Sequence, residues 1–372
     1  MRYLIDKDKA EAAYLQLYSQ LREDIRRQVY PLGTKLPSKR ILAQETGVSI
    51  ITVEHSYELL CEEGYAESRQ RSGYFVTFHT EQGFAAAEPC RVPTPLPHIE
   101  GEQGIQFPLS VLTRTMRKVI TDLGDGLLEK SPNQGFLQLR QAIAKYLARS
   151  RGIEADPEQI VIGSGSEYLY GLTVELLGRD RVYGIESPSY KKIRQVYEGA
   201  DVRCELLPLG SDGIESRALA ASEADVLHIT PFRSYPTGVT ASASKRHAYL
   251  RWASGQGRYL VEDDFESEFS LSGKPFETVF SHSREDNVIY LNSFSKTVSP
   301  ALRVGYMVLP KHLVNEFQQR LGFYSCTVPT FEQFVLAELI NSGDFERHIN
   351  RVRRQKRREK QGIPNGFSPS RN

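Results

Sequence analysis

"LNSFSKTVSPALRVGYMVLP", residues 291–310, sets Lys296 among three serines and a threonine. Apolar, strand-like runs flank it, Val288 to Leu291 before and Val304 to Leu309 after. Lysines usually occupy solvated faces, so one placed among small hydroxyls at a strand end calls for a chemical reason. A lysine amine condenses with an aldehyde only once it loses a proton, and a cationic or apolar pocket lowers its pKa.

An aldehyde cofactor carrying a phosphate needs two more parts, and both lie elsewhere in the chain. "IVIGSGSEYLYGL", residues 160–172, is a strand running into a Gly-Ser turn that opens a helix. Backbone N–H groups at such a helix start bind phosphate. Gly165, Ser166 and Glu167 would face it, with Ser293, Ser295 and Arg303 assisting. "RYLVEDDFESEF", residues 258–269, ends an apolar strand in acids, where α/β sheets place ligand groups. Asp263 is the expected partner of a protonated ring nitrogen, with Asp264 the near alternative. "GIESPSY" offers Tyr190 to stack on a ring, and Pro236-Thr237-Gly238 in "ITPFRSYPTGVT" would lie near the ring's substituted edge. A core tyrosine and solvated loop acids are the competing readings for Tyr190 and Asp263. Pyridoxal 5′-phosphate (PLP) is the cofactor this set of parts suits.

These elements resemble the fold-type I PLP enzymes, the aspartate aminotransferase superfamily. Their S-x-S-K-x-x-x-P-x-x-R-x-G signature is met by Ser293, Ser295, Lys296, Pro300, Arg303 and Gly305. The helix motif G-x-x-x-L-R is met by Gly135, Leu139 and Arg140. The likeness spans residues 107 to 345 and implies Lys296 as the catalytic, cofactor-bearing residue. Helical stretches alternate with apolar runs ("QIVIG", "RVYGI", "DVLHIT", "RYLVEDD", "NVIYLNS", "RVGYMVL"). That alternation by itself implies βαβ units and a mainly parallel sheet. Some positions depart from the superfamily pattern. Phe265 stands where a tyrosine is usual, Phe232-Arg233-Ser234 precede the Pro-Thr-Gly turn, and Tyr235 replaces an asparagine.

The first 77 residues read differently. "AYLQLYSQLREDIRRQVY" is amphipathic through Leu17, Leu21 and Ile25. Ser38 is a plausible N-cap for "KRILAQETG", closing on Gly47, and a second helix opens at Ser49 or Ile50. "YAESRQRSGYFVT" reads as a hairpin with Arg69 to Gly73 at its tip. The order resembles the winged helix-turn-helix of GntR-type regulators. Their motif is met by Leu36 to Arg40, Gly47 to Ser49, Thr52, Val53, Tyr57 and Gly73 to Val76. The resemblance implies that Ser49, Ile50, Thr52 and His55 approach the major groove of a double-stranded DNA operator. Lys39, Arg40, Arg69 and Arg71 would grip phosphates. Ile50 replaces a usual basic residue and can meet a thymine methyl but not pair with guanine.

The joint layout resembles the MocR-type regulators. It implies a homodimer that binds DNA and senses PLP or a PLP–amine adduct. The expected fold is α/β multidomain: a winged helix-turn-helix over 1–77, a linker over 78–104 and an aminotransferase-like domain over 105–348. Residues 349–372 read as an exposed helix remnant and irregular tail, with the superfamily's C-terminal small domain and its carboxylate-binding arginine missing. An aminotransferase and an inactive truncated regulator are the alternatives, so turnover is left open. A net charge of +1 over 372 residues gives no global argument for nucleic acid. Four scattered cysteines (Cys61, Cys90, Cys204, Cys326) argue against a metal centre or disulfide framework. With no apolar leader or membrane-length run, they point to the cytoplasm and no membrane partner.

Overall fold

Alternation along two strands shows how the main sheet is built. In the strand Val288–Ser293, Tyr290 joins one apolar cluster while Ile289 and Leu291 join another. Gly305–Val308 repeats the division, with Tyr306 and Val308 on one face and Met307 on the other. A sheet apolar on both faces must be covered on both. The coordinates are a computed structural model that describes residues 3–6, 11–79, 107–264, 266–270 and 277–360. The chain forms two compact units, Met1–His98 and Ile99–Asn372.

In the first unit, α1 (Ala13–Arg26), α2 (Lys39–Thr46) and α3 (Ile50–Glu62) precede a hairpin of β1 (Ala66–Arg69) and β2 (Gly73–Val76). The Ser38 side chain accepts from Ile41 N–H, and Gly47 closes α2 at φ 67°, the left-handed C-cap that favours glycine. Leu17, Leu21 and Ile25 of α1 pack with Leu42, Val53, Tyr57 and Leu60.

The second unit holds the strands β3 (Ile160–Gly163), β4 (Val182–Ser187), β5 (Arg203–Gly210), β6 (Gly213–Ile214), β7 (Val226–Ile229), β8 (Tyr259–Asp263), β9 (Val288–Ser293) and β10 (Gly305–Val308). Their order is β3-β10-β9-β8-β7-β4-β5-β6. The run β9-β8-β7-β4-β5 is parallel, whereas β10 is antiparallel to both neighbours and β6 to β5. One face is covered by α4 (Leu109–Leu123), α5 (Leu137–Arg151) and later helices, the other by α6 (Ser166–Leu177) and α7 (Lys191–Gly199). The six apolar runs all form strands, and β5 and the two-residue β6 are additions to them. Only Leu207 of β5 is buried, so its composition carries little strand signal.

The shorter helices α8 (Ser216–Ala221), α9 (Ala243–Ala253) and α10 (Val279–His282) lie between β6 and β9. After β10 come α11 (Lys311–Leu321), α12 (Thr330–Asn341) and α13 (Asp344–Lys360). The division expected at residue 348 falls within α13. Its first half is anchored, with Phe345, His348, Ile349 and Val352 buried, while most of residues 351–360 are exposed. Arg353 also donates to the Glu268 carbonyl at 2.5 Å, and Lys356 lies over the Phe269 ring. Arg140 of the G-x-x-x-L-R motif is structural: buried, it donates to the carbonyls of Gly135 and Pro157 at 3.1 and 2.8 Å. All but the first two residues of the expected linker, Phe265, and the tail 361–372 lie outside the described residues.

Buried acids give this unit a pH signature. Glu186 on β4 is pushed up to about 7 by burial, against a 2.6 Å hydrogen bond donated by Ser234. The folded chain thus holds a proton that the unfolded chain releases. The resulting stabilisation is complete below 4.5, the ordinary value, and is lost as pH rises through about 7. Melting curves from pH 5 to 8 should fall less steeply for Glu186→Gln than for the native chain; parallel curves would contradict this.

Candidate cofactor pocket and nucleic-acid interface

The loop after β9 shows why Lys296 faces outward. Phe294 and Val298 are buried in the core, and Val298 N–H donates to the Phe294 carbonyl at 2.8 Å. This one-turn anchor leaves Lys296 between two apolar pegs, directed away from the core. The side chain is exposed rather than buried, because it opens onto a cavity of about 540 Å³.

That cavity gathers Ser166, Glu167, Tyr190, Asp263, Ser293, Ser295, Lys296 and Arg303. It sits at the carboxyl ends of β4, β7, β8 and β9, as expected for a ligand site in such a sheet. Gly165, the ninth expected residue, is the N-cap of α6 at φ 94°. A Cβ there would meet the Arg303 guanidinium at 2.9 Å, so glycine lets that cation lie against the helix start. Arg303 is itself in the left-handed region, at φ 47°. Tyr190 lines the cavity beside Tyr235, their rings edge to face at 6.2 Å, and is no core residue.

Strand alternation separates the two aspartates. Asp263 closes β8 on the face of Val261 and turns into the cavity, where its Oδ2 accepts from the Tyr170 hydroxyl. The His228 Nε2 stands 3.7 Å from that oxygen, and the Tyr197 hydroxyl meets the His228 Nδ1 at 2.7 Å. Asp264 turns the other way, to Arg151 at 3.2 Å and the Tyr290 hydroxyl at 2.8 Å. Asp263 Oδ1 is buried and has no hydrogen-bond partner. A buried lone carboxylate oxygen facing a cavity is costly unless a ligand donor meets it. A protonated pyridine nitrogen is such a donor, and the α6 start with Arg303 suits a phosphate, so the residues present fit PLP.

Sequence reasoning missed Tyr170, His228, Thr230 and Glu266. His228 of β7 lies in register with Val261 of β8, a cross-strand relation that no local pattern encodes. The position of Asp263 predicts an asymmetry. Asp263→Asn should weaken PLP binding by roughly tenfold or more with little loss of stability. Asp264→Asn should lower the melting temperature instead, and the reverse pattern would assign the ring contact to Asp264.

In the winged helix, Ile50, His55, Arg40, Arg69 and Arg71 are exposed. Arg71 stands at the hairpin tip with φ 61°. Ser49 and Thr52 serve the helix start first: Ser49 Oγ accepts from Thr52 N–H at 3.1 Å and meets Thr52 Oγ1 at 2.8 Å. Lys39 pairs with Glu54, and Arg69 with Glu67 at 2.7 Å. Such exposed pairs are worth only about 0–1 kcal/mol, so an approaching phosphate can displace them. Arg40 and Arg71 have no ion-pair partner among the described residues. Ile51, unremarked in the sequence, is 64% exposed beside Ile50 and extends the apolar tip of α3.

The described residues include no helix long and apolar enough to cross a membrane. Family models match "Aminotransferase class I and II" over residues 102–363 and "Bacterial regulatory proteins, gntR family" over 13–76. The chain is 31% identical to the uncharacterized HTH-type transcriptional regulator YdeL of Bacillus subtilis, covering 93% of this chain and 77% of that one. It is 28% identical to the probable rhizopine catabolism regulatory protein MocR of Rhizobium meliloti, over 94% and 76%. With the pyridoxine biosynthesis regulator PdxR of Corynebacterium glutamicum it shares 29% identity, over 91% and 75%. Among solved structures, it is similar to Pyrococcus horikoshii kynurenine aminotransferase in complex with PMP, with TM-score 0.60 and 26% identity, covering 70% and 69% of the two chains. The α-aminoadipate aminotransferase LysN of Thermus thermophilus, complexed with N-(5′-phosphopyridoxyl)-L-leucine, gives 0.59 and 27%, covering 68% and 66%.

Proposed function

Because the chain belongs to the MocR-type GntR regulators, a gntR-family domain joined to a class I and II aminotransferase domain, we propose that it regulates transcription in response to PLP or a PLP–amine adduct. The observation that carries this reading is the single cavity joining Lys296, the unpartnered Asp263 Oδ1 and the Arg303-covered start of α6. PLP, when bound, supplies an aldehyde for amines and a ring that draws electrons from them. Lys296 would hold the aldehyde end, and Asp263 would keep a proton on the ring nitrogen. Tyr170 and His228 orient that carboxylate, and Tyr190 would cover the ring. Ser166, Ser293, Ser295, Arg303 and the N–H groups of Ser166 and Glu167 would hold the phosphate, while the Gly165 N–H is taken by the Gly163 carbonyl at 2.8 Å.

The winged helix binds a double-stranded operator in this reading, through Ser49, Ile50, Thr52 and His55 at the bases and Lys39, Arg40, Arg69 and Arg71 at phosphates. The protein works in the cytoplasm as a homodimer, and a small amine or PLP itself is the effector. Adding PLP to the purified chain should produce a visible absorption band that borohydride reduction fixes to Lys296. A featureless visible spectrum at saturating PLP would overturn the reading.

The DNA half is tested separately. Arg40→Ala and Arg71→Ala should each weaken binding to every duplex alike. Each should also reduce the slope of log K against log salt by about 0.9. Ile50→Ala or His55→Ala should alter sequence preference instead. Undiminished affinity after loss of both arginines would contradict the assignment.

A further inference from the structure

The phosphate end of the cavity already contains an anion. Glu167, in the first turn of α6, directs its carboxylate at two cations at once: Oε1 takes Lys192 of α7, and Oε2 takes the Arg303 guanidinium. Glu167 and Arg303 both line the cavity with Ser166, Ser293 and Ser295. The same guanidinium lies against Gly165, where even a methyl group would approach it to 2.9 Å. The cation expected to receive phosphate is therefore engaged by a side chain of its own cup.

We propose that Glu167 is a built-in competitor for the cofactor's phosphate, which must displace the carboxylate from Arg303 and Lys192 to enter. This rests on the PLP reading above and adds what sets the strength of binding. The charges at the cup explain the effect. Arg303 and Lys192 supply two positive charges and Glu167 removes one, so a phosphate carrying between one and two negative charges meets a half-neutralised cup. Both ion pairs are partly exposed, with the Arg303 and Lys192 side chains about half accessible. Such pairs are individually weak, so exchange with phosphate is reversible rather than blocked. A sensor that must release its ligand when the free concentration falls needs such a weakened site. A housekeeping enzyme, which holds its cofactor permanently, does not.

The test compares Glu167→Gln with the native chain, using three probes: PLP followed by its visible band, inorganic phosphate followed by calorimetry, and pyridoxal, which lacks the phosphate. The glutamine variant should bind PLP and inorganic phosphate roughly tenfold more tightly, the worth of removing one nearby like charge at partial exposure. Pyridoxal affinity should not move. Glu167→Ala repeats the comparison should the glutamine variant fold poorly, and Glu167→Asp, which keeps the charge, should remain near the native affinity. Unchanged or weaker phosphate binding in both neutral variants would overturn the proposal. Tighter phosphate binding with no visible PLP band in any chain would uphold the role of Glu167 and overturn the cofactor reading instead.

Discussion

Lys296→Ala is expected to abolish the visible band that PLP produces and to leave no adduct fixed by borohydride. Among the described residues no other lysine lines the cavity, and Lys192, beside the phosphate end, is held by Glu167. The loss should be complete, whereas the Asp263 and Glu167 variants only shift affinity. Winged-helix DNA binding in the absence of PLP should persist, since α3 and its hairpin form their own core around Leu17, Leu42 and Tyr57. A reducible adduct of native stoichiometry in the alanine variant would place the chemistry on another residue. Loss of DNA binding with an intact melting curve would contradict the separation of the two roles.

Arg151→Met should be the most destabilising single change in the second unit. The Arg151 side chain is 1% exposed and pairs with Asp264 at 3.2 Å and Glu268 at 3.7 Å, themselves buried; it also donates to Ser267. Removing it leaves two buried carboxylates facing each other. Burial already pushes Glu268 upward, with Arg151 the leading opposing influence. Breaking a buried pair from one side costs about 3–5 kcal/mol, because the remaining charge is uncompensated. Denaturant unfolding followed by the fluorescence of Trp252 reports on this unit. A loss below about 1 kcal/mol would mean that the acids are neutralised by other means. The consequence reaches the cavity, since the segment after β8 that carries Asp264 and Glu268 also carries the cavity residue Glu266.

Local rules made much of this legible in the sequence. Ser38 and Gly47 mark the ends of α2 because capping is decided within four residues. The Lys296 loop is legible for a similar reason: hydroxyls and a helix-start turn must flank a phosphate, whatever the rest of the chain does. The choice between Asp263 and Asp264 could not be made there. It depends on which residue ends β8, and hence on which face each carboxylate takes. Tyr170 and His228 were illegible because their link to Asp263 is made across α6, β7 and β8, at separations that no spacing rule covers. β5 was missed through its place near the sheet edge, where half-burial removes the apolar run. The basic helix α13 was legible only in part. Its dense charge hides Ile349 and Val352, which recur three and four residues apart with Phe345 and are buried.

The central claim is that cofactor binding in the second unit changes DNA binding by the first. Fluorescence anisotropy of the duplex upstream of the protein's own gene, titrated with the native chain with and without PLP, measures this most directly. The account predicts a PLP-dependent change in operator affinity of about fivefold or more, the lower range of coupling between linked sites, and its disappearance in Lys296→Ala. Identical binding curves with and without PLP, at concentrations where the visible band is saturated, would contradict it.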